Sequence, residues 1–170
     1  MAALIVNTDT YIALADAEIY LAANYISTDA KFYAWGCLTD ADKTILLRKA
    51  AKIIDRQPLQ GYKYSYTQAM AFPRYLFTEP SEDESDLHPL IRTGGWYCDG
   101  TVPADVKNAQ CEIAVQLTQP ASERAEMQRQ GVKSFSLGSL SETYAGGQYA
   151  IESAEAKEYL APYTGGGFRI

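Results

Sequence analysis

The chain is short of the residues from which active centres are usually made. Among its 170 residues it has one histidine, His88, and three cysteines, Cys37, Cys98 and Cys111. The cysteines are odd in number, widely spaced and without a C-x-x-C pair, which argues against a disulfide framework and a Cys/His zinc site and leaves three ordinary thiols. His88 stands before Pro89 with no serine or cysteine nucleophile motif around it, so it does not make a catalytic triad. There is no G-x-x-x-x-G-K-[ST], no H-E-x-x-H and no serine elbow. Gly165-Gly166-Gly167 neither follows a strand nor opens a helix, and the acidic residues Glu79, Glu82, Asp83, Glu84 and Asp86 lack EF-hand spacing. No enzyme, cofactor or metal is expected. No apolar run reaches the roughly 20 residues that cross a bilayer. The start, Met1-Ala2-Ala3-Leu4-Ile5-Val6, lacks the basic residues and long apolar segment of a signal peptide, which leads to the expectation of a soluble intracellular protein.

What is present suits one domain. A hydrophobic content of 47% is enough for a single well-packed core, over residues 1–162, with 163–170 as a flexible arm. The net charge of −6 argues against wholesale wrapping of nucleic acid, which depends on neutralising phosphates, but it leaves room for a local basic face. Helical periodicity is clearest from Asp40 to Asp55. Thr39 is the N-cap, Asp40 and Asp42 complement the first turn, and Leu46, Leu47, Ala50, Ile53 and Ile54 form a core face opposite Arg48, Lys49, Lys52 and Arg56. Further helices are expected near 14–25 (Leu14, Ala17, Leu21, Tyr25), 103–118 (Val106, Ala109, Ile113, Leu117) and 153–161, capped by Ser153. Residues 3–12 read as an extended lead-in with turn chemistry at Asn7-Thr8-Asp9-Thr10, Ser27 to Gly36 as a bridge, and 75–100 as a long surface loop. Alternation about Gly138-Ser139 predicts a β-hairpin over 132–144. The fold class is therefore mainly α, a small bundle of about four helices with a hairpin and extended N- and C-terminal arms.

The most particular motif is Gln68-Ala69-Met70-Ala71-Phe72-Pro73-Arg74. Proline restricts the residue before it to extended backbone. Phe72 is expected to be buried against the 40–55 helix, Pro73 to fix the turn, and Arg74 to bond main-chain carbonyls or a carboxylate such as Asp55.

Two non-enzymatic readings fit these residues. In one, the basic face together with Tyr62, Tyr64, Tyr66, Phe72 and Arg74 interleaves cations with aromatics, as a groove for single-stranded nucleic acid requires. In the other, the same basic face is a solvated or subunit-contacting surface, and the arms and hairpin serve assembly into a ring of like subunits.

The succession Tyr11-Ile12-Ala13-Leu14-Ala15-Asp16-Ala17-Glu18-Ile19-Tyr20-Leu21, then Thr39-Asp40-Ala41-Asp42-Lys43, the motif ending in Phe72-Pro73-Arg74, and Val102-Pro103-Ala104-Asp105-Val106-Lys107-Asn108-Ala109 resembles the head-to-tail adaptor proteins of long-tailed bacteriophages. These are also catalogued with a DnaT-like domain. The resemblance implies a structural neck protein of the virion, assembled in the host cytoplasm as a homo-oligomeric ring of twelve subunits under the portal protein. Such a ring continues the DNA channel, lets double-stranded DNA pass without sequence-specific binding, and meets the downstream stopper or tail terminator; a tail-terminator or stopper ring is the lesser variant. It further implies that the C-terminal arm, with Tyr163, Phe168, Arg169 and Ile170, docks into the portal.

Overall fold

The helices form where short-range signals specify them. In the computed structural model, which describes residues 4–78, 95–97, 100–122, 126–127, 130, 134–137, 140–143 and 151–164, α1 spans Leu14–Asn24, α2 Ala30–Gly36 and α3 Asp40–Asp55. The next helix, α4, spans Ala104–Gln116, and α5 spans Ala154–Leu160 and runs into a 3₁₀ turn, Ala161–Tyr163. Three of the five α-helices open on a side-chain cap. Asp29 accepts from the N–H groups of Lys31 and Phe32, Thr39 from that of Asp42, and Ser153 from that of Ala156. Each such cap satisfies a donor that the helix cannot satisfy itself and contributes about 1 kcal/mol.

The mainly α class holds, with five helices among the described residues where about four were expected. The extra one is α2, within the segment read as a bridge. Its Asp29 cap and its buried Trp35 make a helix of a stretch too short to show periodicity. Strands also enter the region read as irregular. β1 (Tyr62–Lys63), β2 (Arg74–Thr78) and β3 (Gly95–Tyr97) form an antiparallel sheet in that order, with Tyr62 opposite Tyr75, Lys63 opposite Arg74 and Phe77 opposite Trp96. The expected surface loop over 75–100 is therefore strand at both ends; residues 79–94 lie outside the described ones. The hairpin expected at 132–144 is present as β4 (Ser134–Leu137) and β5 (Leu140–Thr143), paired antiparallel. The N-terminal lead-in is not an extended arm. The turn expected from Asn7-Thr8-Asp9-Thr10 is present at Asn7, whose φ is 64°, and it is the burial of Thr10, Tyr11 and Ile12 that the sequence reading lacked.

Helix α4 is the centre of the core and packs against α1, α2, α3 and α5. Its seven consecutive residues Ala109–Val115 are all buried, nearly two full turns, so the stretch has no side facing water. The stripe Val106, Ala109, Ile113 and Leu117 anticipated only one of its faces. On the others lie Cys111, whose thiol burial pushes up to about 12, and two polar residues that each need partners. Gln110 finds three. Its Nε2 donates to Thr10 Oγ1 (2.7 Å) and to the Leu47 carbonyl (2.8 Å), and its Oε1 accepts from the Tyr11 N–H (2.9 Å). Glu112 accepts from the hydroxyls of Tyr20 (2.9 Å) and Tyr25, which joins α4 to α1 and its C-terminal edge. Among the described residues no buried side-chain polar atom lacks a partner, as a well-formed interior requires.

Replacing Gln110 with leucine keeps the volume but orphans the buried Tyr11 N–H. Gln110→Leu is therefore expected to lower unfolding free energy by about 1–3 kcal/mol, read as a lower urea midpoint with an unchanged denaturant slope. A variant as stable as the parent would show that the N-terminal turn does not depend on this amide.

Candidate nucleic-acid interface

The residues for which a sequence-level case exists converge on the passage from α3 to the sheet. Helix α3 ends at the C-cap Arg56, and six residues later Tyr62 begins β1, so the two lie within about 20 Å of each other by chain reach alone. Side chains alternate along a strand. Tyr62 and Tyr64 accordingly share one face, and both rings meet Tyr75 of β2, with centroid separations of 5.6 Å in each case. The outcome is a row of three adjoining rings, Tyr62–Tyr75–Tyr64. Tyr62 is 53% and Tyr64 49% exposed, and Tyr75 between them is half-buried. Gly100, in left-handed conformation (φ 77°), lies against the outer side of the Tyr64 ring, where a Cβ would sit 3.7 Å from its Cζ. Tyr66 follows at the tip of the next turn, with its ring fully exposed.

Lys63 and Arg74 oppose each other on the other face of the β1–β2 pair, and like charges directly across a ladder destabilise it unless each is engaged elsewhere. Both are engaged. Lys63 Nζ donates to the Gln68 carbonyl at 3.3 Å. Arg74 donates to four main-chain carbonyls: Gln60 through Nε (2.8 Å), Gly61 (2.6 Å) and Leu59 (3.4 Å) through Nη2, and Ala71 through Nη1 (3.3 Å). Of the two partners considered from the sequence, it takes the carbonyls. Burial pulls its pKa down, opposed by the nearby Tyr11 and Asp55. Asp55 itself accepts from the Tyr11 hydroxyl and from the Ala71 N–H (3.1 Å). Burial first, and then this carboxylate, push the Tyr11 hydroxyl far above the ordinary tyrosine value, so it stays protonated as a donor.

Phe72 is 1% exposed, with its ring edge-on to Tyr11 (6.0 Å) and to Tyr163 (5.5 Å), and the Phe72-Pro73 bond is cis. Its ring is core and cannot stack on a base. Of the basic face, Lys49, Lys52 and Arg56 are exposed, whereas Arg48 is half-buried and its Nε donates to Asp9 Oδ2 at 2.7 Å. Tyr163 is anchored: its hydroxyl donates to Asp105 (3.2 Å), its carbonyl accepts from the Gln60 N–H (2.8 Å), and Thr164 bridges to Leu59. Phe168, Arg169 and Ile170 lie outside the described residues. The structure thus separates two groups that the sequence had put together. Tyr62, Tyr64, Tyr66 and three α3 cations face solvent, while Phe72 is buried and the half-buried Arg74 and Arg48 are engaged by the protein's own groups. Tyr75 is the surface residue that sequence reasoning missed. The signal for it, a tyrosine across from Tyr62, exists only once the strands pair.

No group of three or more metal-ligating side chains occurs among the described residues, and no helix there is long and apolar enough to cross a membrane. A family model described as "Putative DnaT-like ssDNA binding protein" matches residues 3–170. No curated protein and no solved structure matches the chain. The family match overturns the reading of the chain as a bacteriophage neck adaptor, with its connector ring and portal attachment, because the family is described by single-strand binding and not by virion assembly. The physical requirements differ as well. A duplex conduit needs surfaces along which phosphates slide, and an exposed row of rings instead offers faces for unstacked bases.

The Arg48–Asp9 pair gives a pH test of how the basic face is built. Partial burial pushes the Asp9 carboxyl up, but hydrogen bonds from Arg48 and the Ile5 N–H and the charge of Arg48 outweigh it, and the net shift is down from 3.8. A folded-state pKa below the unfolded one contributes stability above the unfolded value and loses it as pH falls through the folded value. Asp9→Asn is therefore expected to cost under about 1 kcal/mol at neutral pH. The difference in melting temperature from the parent should narrow as pH falls below 3.8; an equal difference at both ends of the pH range would show that the carboxylate charge is not what Asp9 contributes.

Proposed function

The chain belongs to this DnaT-like family, and on that footing we propose that it is a non-enzymatic module that binds single-stranded nucleic acid on the Tyr62–Tyr75–Tyr64 surface. The observation that carries the reading is the joining of three rings into one exposed face, with the exposed ring of Tyr66 close by in sequence. In a duplex the base faces are already stacked on each other, so such a surface selects bases that are free. Each stacked base contributes about 1–3 kcal/mol, with little regard to its identity.

Phosphate contacts come from Lys49, Lys52 and Arg56 on α3, a small set in a chain of net charge −6. A short footprint and a gentle salt dependence follow. Three contacts on a single strand correspond to a slope of log K against log salt of about −2.

Titration of a fluorescent oligothymidylate at about 50 and 200 mM salt tests this directly. Tyr62→Ala and Tyr64→Ala should each weaken binding by about 5- to 150-fold. Lys49→Ala with Lys52→Ala should reduce the salt slope by about 1.4, and a duplex of the same length should bind less tightly than the strand. Binding that is indifferent to both tyrosine substitutions, or no binding by the unmodified protein at low salt, would refute the proposal.

A further inference from the structure

Arg74 stands apart from the other cations of this region, because most of its hydrogen-bonding capacity is directed at main-chain carbonyls around the entry to β1. A guanidinium has five N–H donors in a fixed planar fork. Four of them are in use on the carbonyls of Leu59, Gln60, Gly61 and Ala71. Three of those carbonyls are consecutive and belong to the turn that delivers the chain into β1, and the turn is left-handed at Gly61, with φ 69°. Residue 74 itself sits in β2, directly opposite Lys63, so one side chain ties the entry of β1 to the strand carrying Tyr75. A bidentate grip on phosphate would require at least two donors, and only one is unused.

We propose that Arg74 is a positioning residue for the stacking surface: by clamping the 59–61 turn to β2 it holds Tyr62 and Tyr64 against Tyr75, and it does not itself touch nucleic acid. The inference rests on the function proposed above and deepens it. A lysine cannot substitute, since a single ammonium cannot satisfy carbonyls spread across the span of a guanidinium fork. Gly61 serves the same arrangement from the other side, because a side chain at φ 69° strains the turn that Arg74 clamps.

The test compares an oligothymidylate with an abasic deoxyribose-phosphate strand of equal length, across a salt series, for the unmodified protein, Arg74→Gln, Arg74→Lys and Gly61→Ala, each checked for a cooperative melt. The expected result is a loss of about tenfold on the thymidylate strand for every folded variant, with abasic-strand affinity and the salt slope unchanged. A salt slope smaller by about 0.7, with abasic binding weakened as well, would identify Arg74 as a direct phosphate ligand and overturn the inference. Unchanged affinity in the folded variants would overturn it too. If Arg74→Gln does not fold, Gly61→Ala decides on thymidylate affinity alone: a selective loss supports the clamped turn and unchanged affinity overturns it. Tyr62→Ala run in parallel separates the two levels: if it weakens binding while the Arg74 and Gly61 variants do not, only the positioning role falls, and if the unmodified protein binds neither strand, the function proposed above falls with it.

Discussion

A helix buried on every side must find a partner for each polar group it carries, and the rest of the structure is arranged around that constraint on α4. Gln110 has no route to solvent, so its amide is satisfied by whatever is brought to it: the main chain at Tyr11, the hydroxyl of Thr10 and a carbonyl of α3. The N-terminal turn thereby becomes part of the interior. Glu112, two residues on and so on the opposite side of the helix, does the same for α1 through Tyr20 and Tyr25. A buried carboxylate met by hydroxyls instead of a cation is tolerable because each hydroxyl supplies a donor without a second charge to desolvate.

The same constraint reaches the surface in two further steps. Because Gln110 holds Tyr11 in place, the Tyr11 hydroxyl stands where it can join Asp55 to the Ala71 N–H, and Phe72 is seated edge-on to the Tyr11 ring. Arg74, two residues on, then gathers the carbonyls that shape the entry to β1. From a core glutamine to exposed tyrosines there is thus a continuous succession of hydrogen bonds and ring contacts. A sheet of only two to five residues per strand needs such support, since small isolated sheets are marginal in water.

The cations divide into two groups. Arg48, Lys63 and Arg74 are engaged by Asp9 and by backbone carbonyls, while Lys49, Lys52 and Arg56 stay exposed on α3. Lys49, Lys52 and Arg56 thus lie exposed along one edge of a single helix. In the proposed function stacking carries the affinity, with phosphate attraction as the smaller part.

Local order was legible in the residues themselves. Thr39 and Ser153 cap the helices they were expected to cap, the 3.6-residue pattern marks α3 to its ends, and the alternation around Gly138-Ser139 is a hairpin. All of these are decided by neighbours a few positions away, so periodicity and capping chemistry suffice. The candidate site was legible only as composition: tyrosines and cations in one stretch, with no means of telling which would face water. The place of Phe72 before Pro73 marked it for the core in one reading, while the groove reading set it beside Tyr62, and nothing in the sequence chose between the two. Tyr75 joins the rings, and Arg74 leaves the ligand-facing set, because β1 pairs with β2 across an intervening turn and because Tyr11, some sixty residues earlier, is placed by α4 against Ala71 and Phe72. Those are long-range contacts, and only the packed tertiary structure, in which every buried donor and acceptor has to be matched at once, could decide them.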